Sequence, residues 1–380
     1  MNAHSFLPLK RIFLRMKKEP VLTASAFCML ISMVFVPPSM TYLTYIDFRV
    51  LALLFCLMAV VAGLQRYGLF TWMAQILLTG KKRRRLLFLL LILLPFFTSM
   101  LVTNDVSLIT FVPFAILILE LTGQQEYLIF VVVMQTVAAN LGSMATPVGN
   151  PQNLFLYSRF ELSAGAFFGT VLPFALAALL LVSASVFFCR DREFTISFPE
   201  DETPKNAKRL FLYLALFVLC LLCVFHVLAY GALFLIVCTV LLAADQSLYR
   251  KLDYGLLLTF VCFFIFAGNI GAVPVIRGFL QKLLSGSPLV TTALASQVIS
   301  NVPAAVLLSG FTENWKALLL GANIGGLGTP IASLASLISF RLYMKTRDAS
   351  AGKYLAFFTV INVAGLALFL GIACLTGGDL

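Results

Sequence analysis

Charged residues and histidines are scarce in this sequence, and each shortage excludes a class of protein. Only 11% of the 380 residues are charged and 61% are hydrophobic, whereas soluble domains are about 25% charged and about 45–50% apolar. A soluble core has no use for so much apolar surface. His4 and His226 are the two histidines, which excludes a histidine-rich metal site.

Signatures of catalysis and of ATP binding are also missing. The chain has no His-Glu-x-x-His motif, no Ser/Lys or Asp/Asp pair on facing segments, and no Gly-x-x-x-x-Gly-Lys-Ser/Thr loop. We predict that the protein is not an enzyme and holds no cofactor beyond a coupling ion. An intramembrane enzyme is the alternative from another class, and a separate ATPase subunit stays open.

Long apolar runs are what the sequence has instead. About 20 residues span the hydrocarbon of a bilayer, so such runs indicate membrane helices. They cover residues 21–36, 46–64, 164–188, 210–228 and 355–375. The sequence predicts an all-α polytopic membrane protein in contact with lipids. Despite the net charge of +11, we expect no nucleic-acid partner.

The basic residues lie in loops between these runs. If the N-terminus is cytoplasmic, 22 of the 27 Lys and Arg fall inside and 5 outside, which is the bias of inner loops. We therefore predict a multi-pass protein of the cytoplasmic (inner) membrane with its C-terminus outside. The densest stretch, KKRRR at 81–85, is interpreted as a topology signal, with a lipid-headgroup or phosphate patch as the alternative.

One Gly-, Thr- and Pro-rich phrase occurs twice. Residues 139–148 read ANLGSMATPV, and 322–331 read ANIGGLGTPI, at an offset of 183. LVTN at 101–104 also matches VISN at 298–301, and Asp47 and Asp253 each open a helix that contains Ala-Gly near its end. Three landmarks in one order indicate a duplication. The charge-derived topology places Asp47 outside and Asp253 inside, so the repeats are inverted.

Each repeat is interrupted twice, and the interruptions divide the chain. Unwound backbone survives at membrane depth only where protein or water satisfies it, and interrupted helices at matching positions are typical of secondary transporters. We predict a first repeat over 1–189, with a re-entrant hairpin over 86–120 and a broken (discontinuous) transmembrane helix over 127–160. Residues 190–209 form a cytoplasmic linker. The second repeat covers 210–380, with a hairpin over 289–312 and a broken helix over 316–341.

The interruptions carry groups suited to ions. Helix N-termini attract anions, and unwound carbonyls with Asn, Thr and Ser oxygens suit Na⁺. No Lys or Arg lies within the four interruptions, so dipoles, hydroxyls and amides would hold an anion. Na⁺ is expected at the Asn104 and Asn301 tips. The predicted substrate- and ion-binding residues are Thr103, Asn104, Asp105, Ser107, Asn140, Thr146, Asn150, Asn153, Ser300, Asn301, Asn323, Thr329 and Ser333.

Asp105 is the one acidic residue among these interruptions. Ionisable groups deep in a membrane act in proton relays or ion sites, which makes Asp105 the predicted coupling residue. Asp is also a preferred helix N-cap, so a cap for the second arm of the hairpin stays open beside it.

Four motifs resemble a known superfamily. TNDVSLI, MATPVGNPQN, SNVPAAV and NIGGLGTPIASL are similar to those of the ion transporters that include arsenite permeases, citrate transporters, sodium–proton antiporters and dicarboxylate–sodium symporters. The resemblance implies inverted repeats that form a mobile transport domain beside a scaffold domain. In dicarboxylate symporters the scaffold dimerises and the transport domain works as an elevator, so we expect a homodimer.

The hairpin tips refine the resemblance. Dicarboxylate symporters have Ser-Asn-Thr tips, whereas here they read Thr103-Asn104-Asp105 and Ser300-Asn301-Val302, closest to the arsenite-permease (anion permease) branch. The expected function is secondary transport of a small anion, a carboxylate or inorganic oxyanion, by symport or antiport with H⁺ or Na⁺. Arsenite efflux or Na⁺/H⁺ antiport is the alternative.

Overall fold

The structure is a computed structural model and describes residues 20–196 and 206–376. Within these residues seven helices are long and apolar enough to cross a membrane. The protein is therefore an all-α polytopic membrane protein, as predicted. The termini and most of the predicted linker lie outside the described residues. The predictions of a cytoplasmic N-terminus and an outer C-terminus concern those termini and stay predictions.

Among the described residues the first half contains nine α-helices, and the second half nine more. The first nine are α1 (Pro20–Phe35), α2 (Tyr42–Tyr45), α3 (Phe48–Arg66), α4 (Leu69–Leu78), α5 (Arg84–Thr98), α6 (Asn104–Leu121), α7 (Leu128–Ser143), α8 (Pro151–Arg159) and α9 (Ala164–Ser185). The others are α10 (Ala207–Val224), α11 (Tyr230–Ala244), α12 (Tyr254–Ala272), α13 (Pro274–Gly286), α14 (Pro288–Ile299), α15 (Asn301–Leu308), α16 (Trp315–Ile324), α17 (Leu334–Tyr343) and α18 (Ala351–Thr376).

Helix breaks fall where the sequence predicts them. α5 and α6 form the first helical hairpin, and α14 and α15 form the second. α7 with α8, and α16 with α17, are the two broken helices. α8 restarts at Pro151 because Asn150 caps it, its Oδ1 accepting from the Asn153 N–H at 2.9 Å. The second tip turns sharply at Ser300, whose φ of 70° is left-handed.

The hairpin arms differ in length between the repeats. α14 and α15 have 12 and 8 residues, or about 18 and 12 Å at 1.5 Å per residue, too short to cross about 30 Å of hydrocarbon. α6 has 18 residues and qualifies as a span by length and composition. The depth of either tip in the membrane, like the domain bounds, stays a prediction.

The basic stretch 81–85 is built into a small sheet. β1 (Gly80–Arg83) pairs antiparallel with β2 (Glu193–Ile196). The next residue, Arg84, is buried, donates to Gln124 Oε1 at 2.7 Å, and lies 4.7 Å from the centre of the Tyr127 ring. Neither sequence interpretation foresaw this packing role, since both treated the five charges as solvent-facing.

The two Ala-Gly landmarks have the same packing role. A Cβ on Gly63 in α3 would overlap the Tyr213 ring, and a Cβ on Gly268 in α12 would overlap the Tyr45 ring. Each glycine therefore makes room for a tyrosine. This shared contact explains why Ala-Gly recurs at both places.

Candidate functional site

The two hairpin tips have the same hydrogen bonds. The Asn104 N–H donates to the Gly149 carbonyl at 3.2 Å, and the Asn301 N–H donates to the Ala332 carbonyl at 3.0 Å. Gly149 and Ala332 are separated by the 183-residue offset of the duplication. In each tip the Asn Oδ1 accepts from the next backbone N–H, at 3.0 and 2.9 Å. Each tip is thus docked on the broken helix of its own repeat.

The two broken helices hold each other through a reciprocal pair of bonds. Asn150 Nδ2 donates to Asn323 Oδ1 at 3.0 Å, and Ser333 Oγ donates to Asn140 Oδ1 at 3.0 Å. The same offset of 183 relates Asn140 to Asn323 and Asn150 to Ser333. The bonds therefore cross between the repeats in a two-fold pattern.

A second reciprocal pair reaches one turn further. Asn323 Nδ2 donates to Asn153 Oδ1 at 2.6 Å, while Asn140 Nδ2 lies 3.5 Å from Ser336 Oγ. Ser336, the 183-residue partner of Asn153, is absent from the predicted set. The offset could have identified it.

The tips differ in what their amides reach. Asn104 Nδ2 donates to Asn140 Oδ1 at 2.9 Å. Asn301 Nδ2 has no hydrogen bond within the part of the chain that the structure describes; it lies 3.0 Å from where a Cβ on Gly326 would stand. One tip is tied to the network, and the other carries a free donor beside a glycine.

Three predicted residues brace the hairpins and lie outside this network. Ser107 Oγ donates to the Pro95 carbonyl at 3.2 Å. Thr146 Oγ1 donates to the Met100 carbonyl. Thr329 Oγ1 donates to the Gln297 carbonyl at 3.1 Å, inside the second hairpin. Each of these hydroxyls is occupied by a carbonyl of its own repeat.

A cavity of about 390 Å³ lies in front of the network. Its walls come from α3, α6, α12 and α17, and both hairpin tips border it. Of the predicted residues, those that line it are Thr103, Asp105, Asn150 and Ser300. The remaining network residues are buried behind this wall: Asn104, Asn140, Asn153, Asn301, Asn323 and Ser333.

Asp105 faces this cavity and does not cap α6. The N-cap is Thr103, which forms no side-chain cap bond, and Asp105 lies in the first turn. Its Oδ1 is buried without a hydrogen-bond partner among the described residues. The cap interpretation is therefore wrong, because the helix begins two residues too early for it. An unpaired carboxylate oxygen at the cavity wall makes Asp105 a candidate to bind a proton or a cation.

Charged residues that the sequence analysis left out of the site also line the cavity. Lys251 and Asp253 precede α12, and Arg341 lies in the last turn of α17. Asp253 caps α12, accepting from the Leu256 N–H at 2.9 Å. The expectation that dipoles and neutral groups alone surround an anion is incomplete, because two cations border the same cavity from outside the four interruptions.

The opposite end of α3 is closed. α8 packs on α3, and α15 packs on α12. The Tyr157 ring of α8 stacks on the His226 ring with centroids 5.5 Å apart, and Arg49 at the start of α3 contacts His226 Nδ1. Arg49 and the cavity-lining Gln65 are 16 residues apart on α3, or about 24 Å, so the contact with His226 is far from that part of the cavity wall.

Metal-binding groups do not cluster within 20–196 and 206–376, where no three His, Cys, Asp or Glu residues come together. Cys220 and Cys223, spaced like a redox or metal pair, are buried free thiols on α10. A cation at the site would therefore be held by Asp105 with amide, hydroxyl and carbonyl oxygens.

Comparison with known proteins gives the family. Residues 12–313 match the sequence model described as "Citrate transporter". The chain belongs to the citrate transporter family. The superfamily resemblance drawn from the four motifs is thereby confirmed.

Two of the relatives of the chain are named as transporters, and a third is named as an inner membrane protein. An uncharacterized transporter of Methanocaldococcus jannaschii is 34% identical over 279 residues, or 73% of this chain and 76% of the relative. The inner membrane protein YbiR of Escherichia coli is 32% identical over 249 residues, covering 64% and 66%. A silicon efflux transporter of Oryza sativa is 32% identical over 136 residues, covering 35% and 27%. The protein is a membrane transporter of this family.

Proposed function

We propose that the protein is a secondary active transporter that moves a small anion, a carboxylate or inorganic oxyanion, across the cytoplasmic membrane in exchange or symport with H⁺ or Na⁺. The observation that carries the proposal is the convergence of four helix N-termini on one cavity. α6, α8, α15 and α17 all begin at its wall. Helix N-termini carry a partial positive charge, which favours an anion.

Coupling is assigned to Asp105. A carboxylate beside an anion repels it unless a proton or a cation neutralises the carboxylate. Asp105 has no salt-bridge partner among the described residues, and its Oδ1 is unpaired, so H⁺ or Na⁺ would bind there before the anion. Amide oxygens of the Asn104 and Asn301 tips would complete a Na⁺ site. Loading of the coupling ion would thus permit loading of the substrate.

The movement is proposed to follow the family pattern. The hairpins and broken helices, joined by the reciprocal bonds, would move as one transport domain against a scaffold that contains α3 and α12. Such an elevator fits a homodimer held by its scaffolds, with the N-terminus cytoplasmic and the C-terminus outside.

A second candidate is efflux of a weakly acidic oxyacid such as arsenite. One relative is named a silicon efflux transporter, and the network behind the cavity consists of neutral amides and hydroxyls. Na⁺/H⁺ antiport, with Asp105 as the residue that binds either ion, is a third candidate function for the same site. Family membership favours each of these over an intramembrane enzyme.

Transport by the purified protein in proteoliposomes tests the proposal. Citrate, succinate, sulfate, arsenite, silicic acid and Na⁺ are offered in turn, each with an imposed pH or Na⁺ gradient. Gradient-driven accumulation of a carboxylate or sulfate supports anion transport. Movement of arsenite or silicic acid alone supports the efflux alternative, and Na⁺ flux without any other solute supports the antiporter.

A further inference from the structure

Two cations without a partner among the described residues line the cavity. Lys251 lies in the 3-10 segment Gln246–Lys251, which packs on α3 and α11. Arg341 lies in the last turn of α17. Both side chains line the cavity, and neither makes a salt bridge or hydrogen bond within residues 20–196 and 206–376. Packing and ion pairing in the described chain thus leave both charges unused.

The two charges belong to different parts of the molecule. Lys251 sits beside α12 on the proposed scaffold. Arg341 sits on the proposed transport domain, where α17 begins beside Ser333, a donor to Asn140 in the network. From Leu334 to Arg341 the helix rises about 10 Å. Arg341 is therefore connected to the site by two turns of helix and borders the same cavity as Lys251.

We propose that Lys251 and Arg341 select multiply charged anions over neutral or singly charged solutes, an inference that rests on the anion-transport function proposed above. An anion with two charged groups contacts both cations and relieves their mutual repulsion, whereas a neutral oxyacid gains nothing from either. Arg binds carboxylate and oxyanion groups through paired N–H donors, and Lys acts as a point charge.

Asp105 and Asp253 make this selection depend on the coupling ion. The cavity carries two carboxylates and two cations, so a dianion that enters without a coupling ion meets Asp105 as a like charge. Neutralisation of Asp105 leaves Lys251 and Arg341 in excess over Asp253. Binding of a multiply charged anion is then favoured only after the coupling ion has bound.

Matched neutral variants test the inference in proteoliposome counterflow with succinate and sulfate as dianions, acetate as a monoanion and arsenite as a neutral solute. Lys251→Gln and Arg341→Gln are compared with Arg250→Gln and Lys345→Gln, which remove exposed charges from the same two segments but do not line the cavity. Each cavity variant should raise the KM for a dianion about two- to fivefold, within the range of exposed charge pairs, with little change in maximal rate.

Salt and substrate charge supply independent readouts. Raising KCl from about 20 to about 200 mM should weaken dianion affinity in the wild type, because screening lengths shorten, and should leave the double variant nearly unaffected. The acetate and arsenite KM values should not change in any variant. Cavity variants that behave as Arg250→Gln and Lys345→Gln do would overturn the selection while leaving anion transport intact. A wild type that moves only neutral arsenite would overturn both proposals.

Discussion

Helices that the duplication relates to each other pack differently at the two ends of α3. Toward Gln65 a cavity lies between α3 and α12 on one side and α6 and α17 on the other, and one hydrogen bond, from Gln65 Nε2 to Thr110 Oγ1 at 3.0 Å, bridges α3 and α6. Toward Arg49, α8 packs on α3 and α15 packs on α12. The 183-residue offset pairs α8 with α17, and the hairpin landmarks pair α6 with α15, so a symmetric molecule would have equal ends. The two ends of α3 are therefore packed differently, although the duplication relates their parts.

The network between the ends is closer to symmetric than the ends are. Asn150 and Ser333 cross to Asn323 and Asn140 with equal distances of 3.0 Å. The repeats differ in residue type at two corresponding positions. Asp105 in the first tip corresponds to Val302 in the second, and Asn153 corresponds to Ser336. The two repeats therefore share the reciprocal bonds and differ in the charge at their tips.

The largest expected effect comes from removing the one charge that breaks the symmetry of the tips. Asp105→Asn keeps the size of the side chain and makes the first tip neutral, as Val302 makes the second. We predict that this variant still exchanges substrate but no longer accumulates it against a gradient. Counterflow and gradient-driven uptake measured on the same proteoliposomes check this.

Asp47→Asn is the matched control for that charge, because Asp47 caps α3 and does not line the cavity. Asn is as good an N-cap as Asp, so α3 should keep its cap and accumulation should continue. If Asp105→Asn concentrates substrate as well as the wild type does, Asp105 is not the coupling residue and the asymmetry of the tips has another cause.

Replacing the side-chain amide of either tip should stop transport, but only one of the two replacements should lower the stability of the protein. Asn104→Ala removes the hydrogen-bond donor to Asn140, so the buried Asn140 Oδ1 loses one of its hydrogen bonds. The substitution should lower the free energy of unfolding by about 1–3 kcal/mol. Asn301→Ala removes an amide whose Nδ2 has no bond within the described residues, so the protein should melt near the wild-type temperature. Thermal unfolding in detergent beside uptake assays distinguishes these results.

Equal melting temperatures for the two alanine variants would contradict the distinction between a tied tip and a free one. Full transport by either variant, with normal amounts of protein in the membrane, would remove that tip from the site.

Sequence alone could predict the interruptions because Gly, Pro and Asn act locally on the backbone. The tips at Asn104 and Asn301 and the breaks before Pro151 and Leu334 all follow from local chemistry. The choice of N-cap was less secure, because Thr103 and Asp105 are both suitable and the start of a helix can shift by a residue. Local patterns therefore gave the elements and left their exact ends undetermined.

The lining of the cavity could not be predicted in the same way. Lys251 and Arg341 reach it from a 3-10 segment and a helix end that looked like ordinary inner loops. Their positions depend on how the two halves approach each other, which no single segment encodes. Arg84 shows the same limit, since its burial depends on pairing between strands more than 100 residues apart.

A smaller effect is expected from the two glycines that seat tyrosines. Gly63→Ala pushes on Tyr213, and Gly268→Ala pushes on Tyr45. Overpacking of this kind costs about 1–3 kcal/mol, so both variants should lower the melting temperature. Gly278→Ala, where a Cβ meets nothing within 4 Å, is the control. A wild-type melting temperature for either packed variant would show that the tyrosine moves aside freely.

The closed end should respond to pH through His226, which lies in the turn after α10. Burial and the Arg49 guanidinium lower the pKa of His226 below its usual value, while Glu161 acts in the opposite direction. A lowered pKa means that the contact favours neutral histidine. The closed end is thus fully stabilised above about pH 6.5, the usual histidine value, and loses that contribution as the pH falls through the lowered value.

The smallest expected effect follows from this linkage. Leu162 is buried near the contact, so a cysteine placed there in a cysteine-free background reports opening of the closed end without any transport step. Its labelling rate, divided at each pH by the rate for a fully exposed reference cysteine to correct for the thiolate fraction, should rise about two- to fivefold between pH 7.5 and 5.5, since one weakened contact shifts a population by well under 1.4 kcal/mol, the equivalent of tenfold. His226→Phe retains a ring against Tyr157 and removes the titration, so labelling in that variant should not change with pH. An equal acceleration in His226→Phe would assign the response to another group and leave the stacked rings as packing alone.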